Sequence, residues 1–165
     1  MTRVLGIDPG LASTGWGLVE TDGTRYRYVT HGVISTTPDV SMAHRLRSIF
    51  LELTAIIGDY HPAEAGVESL YFARNATSAI PVAHARGVTF LALALRDVPA
   101  FEYPPQAIKQ SIVGQGRAQK SQVQELVRVL LGLSEIPRPD HAADALAAAI
   151  CHLAHRSFQE RTSHV

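Results

Sequence analysis

Cysteine is almost missing from this sequence, because Cys151 is the only one among 165 residues. A single thiol cannot form an internal disulfide and cannot build a cysteine cage for zinc, so a disulfide scaffold and a zinc-ribbon type of protein are both excluded. A chain without disulfides suits a reducing compartment. We therefore expect a cytoplasmic protein.

Net charge and long hydrophobic runs are also missing. The 15 basic and 15 acidic residues give a formal net charge of +0, which excludes a protein that coats nucleic acid with uniform positive charge but permits a local basic face. The longest apolar runs, such as Leu91–Leu95, are too short to span a bilayer. The start, Met1–Leu5, leads directly into a strand pattern without the successive regions of a signal peptide.

The chain does contain enough apolar material for a core. Hydrophobic residues make up 46% of it and charged residues 18%, which is far from a disordered composition. At this length we expect one domain over residues 1–156. Residues 157–165 are mostly polar and are expected to form a flexible tail.

Hydrophobic periodicity predicts a mixed α/β fold. Three strands joined by short turns should form an antiparallel meander, and the later apolar patterns alternate between helical spacing and short strand-like runs. Ser41 can cap the first helix, which Gly58 and Pro62 should end. Such an order places helices on both faces of one sheet. The predicted elements are strands Val4–Ile7, Thr14–Glu20 and Arg25–Ser35, a helix after Ser41, strand Ala63–Glu68, helix Ala76–Leu95, strand Val98–Tyr103, and helices Ser121–Leu131 and His141–Arg156.

Two small residues, Ala83 and Gly87, are four positions apart in the predicted helix Ala76–Leu95. Small residues at this spacing let another helix approach closely. That neighbour could belong to the core of the same chain or to a second copy across a dimer seam, and the sequence leaves both interpretations open.

Two acidic residues end predicted buried strands. Asp8 follows Val4–Ile7, and Glu68 ends the run that begins at Ala63. Side chains at strand ends emerge from a sheet into solvent, so both carboxylates could serve one site. Taken alone, Asp8 could equally be a turn-forming aspartate and Glu68 an edge charge.

His141 and Asp144 lie three residues apart in a predicted helix and therefore share a face. Asp144 is surrounded by apolar residues, and burying an ionised carboxylate without a partner would cost several kcal/mol. A salt bridge to an arginine or a bound metal ion would remove that cost. Carboxylates from separate elements could hold two Mg²⁺ ions roughly 4 Å apart, an arrangement that suits phosphodiester hydrolysis.

These residues lie within motifs that resemble the RuvC family of Holliday-junction resolvases. The resemblance extends from about Arg3 to His155, and dispersed motifs in the right order are more specific than one short pattern. Among the motifs are Gly6-Ile7-Asp8-Pro9-Gly10, Thr14-Gly15-Trp16-Gly17, Glu68-Ser69-Leu70-Tyr71, Arg74-Asn75-Ala76, Ala85-Arg86-Gly87-Val88, Lys120-Ser121-Gln122-Val123 and Ala142-Ala143-Asp144-Ala145.

The resemblance implies a fold, an activity and a set of partners. The fold would be ribonuclease-H-like, a mixed five-stranded sheet with helices on both faces. The activity would be metal-dependent resolution of four-way DNA junctions in recombination and repair, by paired symmetric nicks that leave 5′-phosphate and 3′-hydroxyl ends. A homodimer, Mg²⁺ with Mn²⁺ as a substitute, and partnership with RuvA and RuvB are implied as well. The catalytic and metal-binding positions fall on Asp8, Glu68, His141 and Asp144.

His141 departs from the pattern of many members of this family, which have aspartate there, although some have histidine. A neutral imidazole brings no charge and is a softer ligand, so tolerance of Mn²⁺ relative to Mg²⁺ should rise. His141 could instead exchange a proton with the attacking water. Its neighbour Asp140 could cap the last helix or reach the metal.

Two stretches of the chain are free of acidic residues, one between Glu68 and Asp97 and one between Glu102 and Glu125. The basic residues there suit phosphate contacts, with an ordinary solvated face as the alternative. An aromatic pair after Glu68 could stack on an unpaired base, unless its phenylalanine packs into the core. The residues expected to bind DNA are Tyr71, Phe72, Arg74, Asn75, Lys109, Arg117 and Lys120.

Three rival functions compete with junction cleavage. An actin-like ATPase or sugar-kinase domain also opens with a strand, an Asp-x-Gly turn and a glycine-rich hairpin, but it needs a second lobe for which this chain has little length. A related ribonuclease-H-like enzyme acting on RNA is a second rival. A junction-binding module that does not cut is the third, if His141 breaks the metal site.

Overall fold

The computed structural model describes residues 1–69 and 76–162, except for the side chains of residues 76–78 and 160–162. In these ranges the chain forms five strands and five helices. Their order is β1 (Thr2–Asp8), β2 (Ser13–Thr21), β3 (Tyr26–Ser35), α1 (Met42–Tyr60), β4 (Glu64–Glu68), α2 (Ala76–Ala94), β5 (Ala100–Tyr103), α3 (Pro105–Val113), α4 (Lys120–Leu130) and α5 (Asp140–Thr162).

The strands form one sheet in the order β3-β2-β1-β4-β5. The first three are antiparallel neighbours, which confirms the predicted meander, whereas β4 is parallel to β1 and β5 is parallel to β4. Ile7 lies beside Val67 in the parallel pair. Strands β1 and β4 therefore end at the same edge of the sheet.

Helices cover both faces of this sheet, as predicted. Successive residues of a strand point to opposite faces, so Val4 belongs to one buried core and Leu5 to the other. Helices α1 and α2 contact each other over the Leu5 core, and α3, α4 and α5 pack together over the Val4 core. The mixed five-stranded sheet with two helical layers is thus present.

Helix α1 begins where the sequence predicts it. The Ser41 hydroxyl accepts a hydrogen bond from the backbone N–H of His44, which satisfies one of the donors left free at a helix start. The helix ends at Tyr60, so Gly58 lies inside it rather than ending it. Its other contacts outweigh the roughly 1 kcal/mol that an interior glycine costs relative to alanine.

Helix α5 lies almost directly on the backbone of the sheet, because glycines face it. A methyl group built at Gly6 would lie 1.8 Å from the carbonyl oxygen of Ala145, and one built at Gly66 would lie 2.7 Å from that of Ala148. The facing residues of α5 are buried alanines, so neither surface carries a bulky side chain. This close packing lets the first turn of α5 reach the edge at which β1 and β4 end.

The pair of small residues singled out in helix α2 faces solvent rather than the core. Ala83 and Gly87 are both exposed, and no described atom lies within 4 Å of a methyl group built at Gly87. The core-packing interpretation of this pair is therefore wrong.

Two helices differ from their sequence predictions. Helix α5 continues to Thr162, beyond the predicted end near Arg156 and into the segment expected to be a flexible tail. Helix α3 was not predicted, although Pro105 in its first turn and Gly114 just after its end are typical boundary residues. Among the described residues no helix combines the length and the apolar character needed to cross a membrane.

Candidate active site

Asp8 and Glu68 end two neighbouring parallel strands. Asp8 is the last residue of β1 and Glu68 is the last residue of β4. Their strands are in register just before them, so both carboxyl groups lie at one edge of the sheet. The two carboxyl groups are close enough for Asp8 to raise the pKa of Glu68.

The first turn of α5 brings His141 and Asp144 to the same edge. The Nδ1 atom of His141 lies 2.7 Å from the Oδ2 atom of Asp8. One potential ligand atom from each of Asp8, His141 and Asp144 lies within 4.8 Å of the other two. We call these three residues the ligand cluster. Residues that are distant in sequence thus form one group able to hold a metal ion.

Burial and neighbouring carboxylates change the protonation of Glu68. Burial, followed by the negative charges of Asp8 and Asp144, raises the pKa of Glu68 to about 8. At neutral pH and without cations, the Glu68 carboxyl group therefore keeps its proton, and its O–H can donate a hydrogen bond to a carboxylate oxygen of Asp8. Burial also raises the pKa of Asp144, against the opposing effect of Lys120. A cation bound among these groups would relieve their repulsion.

Lys120 at the start of α4 supplies a positive charge to this edge. Its Nζ atom lies 2.9 Å from Oδ2 of Asp144 and 3.4 Å from Oδ2 of Asp140. Burial lowers the pKa of Lys120, but the hydrogen bond with Asp144 and the nearby negative charges outweigh it, so the net shift is upward. The partner of Asp144 is thus a lysine, not the arginine that the sequence suggested as an alternative.

Asp140 is the first residue of α5 and interacts with α4. Its Oδ1 atom accepts a hydrogen bond of 3.1 Å from Nε2 of Gln124, and its Oδ2 atom faces Lys120. The side chain is exposed, and a negative charge at this helix start suits the helix dipole. Its carboxylate is therefore engaged by α4 rather than by the ligand cluster.

Two adjoining cavities open beside the ligand cluster. The smaller cavity, of about 210 Å³, is lined by Lys109, Lys120 and several apolar side chains. The larger, of about 320 Å³, is lined by Asp8 and Arg86. Glu68, Pro105 and Asp144 line both cavities. The acidic groups therefore lie where the two cavities meet.

The other residues expected to bind DNA have varied placements. Lys109 on α3 lines the smaller cavity, and Arg117 is exposed between α3 and α4. Ser69, which was not among the expected site residues, also lines the larger cavity. The feature of the sequence that could have identified it is its position directly after Glu68. Four expected residues lie outside the described ranges: Tyr71, Phe72, Arg74 and Asn75.

The donor set of the ligand cluster fits a divalent cation. Carboxylate oxygens are the ligands that Mg²⁺ prefers, and an imidazole nitrogen suits softer cations such as Mn²⁺ better than it suits Mg²⁺. The raised pKa of Glu68 results from burial and from nearby negative charge, which a cation would balance. The residues present therefore fit a metal ion at this edge of the sheet.

The sheet has this strand order, carboxylates lie at the adjoining ends of β1 and β4, and further potential ligands lie on a helix packed across the sheet. Together these features define a ribonuclease-H-like protein with the acidic centre of a metal-dependent nuclease. Within that class, the chain belongs to the RuvC family. The family described as "Crossover junction endodeoxyribonuclease RuvC" matches residues 4–152.

Individual relatives agree with this assignment. The chain is 54% identical over 147 residues to the crossover junction endodeoxyribonuclease RuvC of Treponema denticola, covering 89% of this chain and 83% of the relative. It is 53% identical over 160 residues to that of Rubrobacter xylanophilus, covering 97% and 87%. Thermus thermophilus RuvC, solved in complex with a Holliday junction substrate, superposes with a TM-score of 0.92 at 34% identity, covering 96% of this chain and 97% of that one.

Proposed function

We propose that this protein is a metal-dependent endonuclease that resolves four-way DNA junctions in recombination and repair. It would make paired symmetric nicks that leave 5′-phosphate and 3′-hydroxyl ends. The observation that carries this proposal is that Asp8, His141 and Asp144 offer potential ligand atoms within 4.8 Å of one another, beside two cavities that Glu68 and Asp144 both line. Membership of a family named for crossover junction cleavage supports the choice of substrate.

Asp8, His141 and Asp144, together with the neighbouring Glu68, would hold the cations. Divalent cations bound there supply charge to neutralise the scissile phosphate and lower the pKa of a water molecule, so that hydroxide is available near neutral pH. Two ions per active site fit the number of carboxylates. Mg²⁺ suits the oxygen ligands, and we expect Mn²⁺ to substitute because His141 contributes nitrogen.

The chain's own groups would orient the ligands and move protons. The Nδ1 atom of His141 is close enough to the Asp8 carboxylate to donate a hydrogen bond, which leaves Nε2 with a free electron pair for a metal or a proton. Glu68 would have to release its proton when cations bind, because a cation beside it opposes the burial and the negative charges that raise its pKa. Glu68 would therefore change its protonation when the cations bind.

Basic side chains beside the carboxylates would bind the DNA backbone. Lys109 and Lys120 line the smaller cavity, where they can meet the phosphates on either side of the cut, and Arg117 follows α3. The segment between β4 and α2 carries the other expected contacts, namely Tyr71, Phe72, Arg74 and Asn75. An aromatic side chain of that segment would stack on an unpaired base at the centre of the junction.

A homodimer would supply the second active site that symmetric nicking needs. Helix α2 exposes three large apolar side chains, Ile80 at 55%, Leu91 at 51% and Leu95 at 63%. Residues at this spacing lie on one helix face, and the exposed Ala83 and Gly87 lie between them. A solvent-exposed apolar stripe of this kind suits a two-fold interface with a second copy.

We also expect RuvA and RuvB as partners, a cytoplasmic location and one nuclease domain over residues 1–156.

The test is cleavage of a synthetic four-way DNA junction, with linear duplex and an all-RNA junction as controls and with Mg²⁺ and Mn²⁺ titrated separately. We expect cutting of the DNA junction alone, at paired positions on opposite strands. Asp8→Asn should bind the junction and leave it uncut, because it removes one carboxylate from the ligand cluster. Equal cleavage of duplex, or normal cleavage by the Asp8→Asn variant, would refute the proposal.

A further inference from the structure

The larger cavity has a basic residue that is distinct from the lysines of the smaller one. Arg86 lines it from α2, together with Asp8, Glu68 and Asp144. Lys109 and Lys120 belong to α3 and α4, which pack on the other face of the sheet from α2. The acidic groups therefore lie between a pair of lysines on one side and a single arginine on the other.

The guanidinium group of Arg86 is held in place from two directions. Its Nη2 atom lies 2.7 Å from Oε2 of Glu102 on β5, and its Cζ atom lies 5.1 Å from the centre of the Phe90 ring. Only 19% of the Arg86 side chain is exposed. An ion pair and a ring contact on a mostly buried side chain restrict its orientation, so the group is preorganised rather than freely mobile.

One donor of this restrained group is unused. The Nη1 atom of Arg86 is buried, and it is the buried side-chain nitrogen or oxygen that has no hydrogen-bond partner within the described part of the chain. Buried donors are almost always paired, so an unpaired one calls for a specific explanation. The acceptor that the adjoining cavity would receive during cleavage is a phosphate oxygen of the DNA strand.

We propose that Arg86 binds a phosphodiester adjacent to the scissile one, on the α2 side of the carboxylates, with Glu102 holding the guanidinium in position. The Nη1 atom, which has no hydrogen-bond partner within the described residues, would donate to a non-bridging oxygen of that phosphodiester. Arg86 and the lysine pair then hold the strand from both sides of the cut. This inference rests on the proposed function, because it takes junction DNA as the ligand.

The first test measures junction affinity against salt concentration in the Asp8→Asn background, which prevents cutting. The plot of log affinity against log salt concentration has a negative slope. Loss of one phosphate contact reduces the magnitude of that slope by about one. We expect this change for Arg86→Gln, with a roughly fivefold to tenfold loss of affinity at physiological salt. Arg86→Lys should keep the slope. The control is Arg96→Gln, since Arg96 lies in a cleft with Gly58 and His61 at the opposite edge of the sheet, and it should change neither quantity.

The second test separates a DNA contact from a purely structural role. Glu102→Gln breaks the ion pair but keeps the arginine, so it should preserve the salt slope. A junction with a neutral methylphosphonate at the flanking phosphate should bind the Asp8→Asn protein more weakly. That penalty should shrink in Arg86→Gln and persist in Arg86→Lys, which keeps the positive charge. Arg86→Met, which also removes the charge, provides the same comparison if the glutamine variant does not fold.

Two results would overturn the inference. One is an unchanged salt slope in Arg86→Gln, and the other is a methylphosphonate penalty that is the same with and without Arg86. Either result would leave the proposed function standing, provided that the unaltered chain still cuts a four-way junction. Failure of that cutting would instead refute the proposed function itself.

Discussion

Gly15 on β2 lies directly beneath the first turn of α5, so that a methyl group at Gly15 would stand 1.9 Å from the carbonyl oxygen of His141. The backbone of α5 can approach the sheet this closely only because residue 15 has no side chain. The same turn carries Asp144. The distance of His141 and Asp144 from the strand ends is therefore set by a glycine that takes no part in the chemistry.

Replacing Gly15 with alanine should displace the start of α5 and with it the ligands that this helix carries. The methyl group would push against the α5 backbone, which cannot move without displacing His141, and overpacking of this kind costs about 1–3 kcal/mol. We expect a lower melting temperature and a loss of junction cleavage that exceeds the loss of junction binding. Gly58→Ala is the matched control, because its nearest described atom lies 3.6 Å away on the Arg96 side chain. Equal cleavage by both variants would contradict this account.

Glu68 should make the metal-free protein less stable as pH rises. Its pKa is raised from 4.5 to about 8, so the stabilisation from its proton is complete below pH 4.5 and is lost as pH rises through about 8. In EDTA at pH 8.5, Glu68→Gln should increase the free energy of unfolding by about 1–3 kcal/mol, because it removes a repelled buried charge. The same variant should fail to cut junctions.

Denaturant unfolding of both proteins across this pH range provides the measurement. Glu52→Gln on the exposed side of α1 serves as the control and should leave the pH profile unchanged. Parallel profiles for the original chain and Glu68→Gln would show that Glu68 does not carry the pH dependence.

Lys120 should compete with metal ions for Asp144. Its Nζ atom lies 2.9 Å from Oδ2 of Asp144, and a half-exposed ion pair contributes up to about 1 kcal/mol. Lys120→Met should therefore bind Mn²⁺ about twofold to fivefold more tightly in the absence of DNA, while its junction cleavage falls. Lys109 lines the same cavity as Lys120, and Lys109→Met should weaken junction binding without changing Mn²⁺ affinity. Calorimetric titration distinguishes the two variants, and weaker Mn²⁺ binding by Lys120→Met would reverse the expectation.

His141 should set the metal preference. His141→Asp replaces the imidazole beside Asp8 with a charged oxygen ligand, so activity with Mg²⁺ should rise relative to activity with Mn²⁺. His141→Ala removes a ligand, and we expect it to reduce cleavage about tenfold to a hundredfold. Initial cleavage rates in each metal provide the ratio. A ratio that stays constant across these variants would exclude His141 as a ligand.

We expect the exposed stripe of α2 to form the interface of the proposed dimer. Leu91→Asp places a charge on this stripe, and burying an unpaired charge costs several kcal/mol, so the variant should be monomeric by analytical ultracentrifugation. Its nicks in a cruciform plasmid should lose their pairing, giving more nicked circles and less linear product. Val129→Asp on α4 is the control, since Val129 is 54% exposed and Leu91 is 51% exposed. A dimeric Leu91→Asp protein would place the interface elsewhere.

Local signals were sufficient for much of the architecture. The apolar run Val4–Ile7 followed by Asp8-Pro9 has the pattern of a buried strand that ends in a turn, and β1 ends at Asp8. Ser41 has the position of a helix cap and acts as one. Strand alternation and helix capping depend on neighbours within a few residues, which explains why these predictions succeeded. Helix α3 was missed because its boundary residues, Pro105 and Gly114, are equally typical of loops.

The sequence by itself determined the sheet, the main helices and the choice of Asp8, Glu68, His141 and Asp144 as candidates, because residue type and spacing along the chain carry that information. Only the tertiary structure decided that Lys120 pairs with Asp144, that Glu68 retains its proton to about pH 8, and that Nη1 of Arg86 has no partner among the residues that the structure describes. These properties depend on distance, burial and charge between residues far apart in the chain. Sequence spacing contains none of those quantities until the chain has folded.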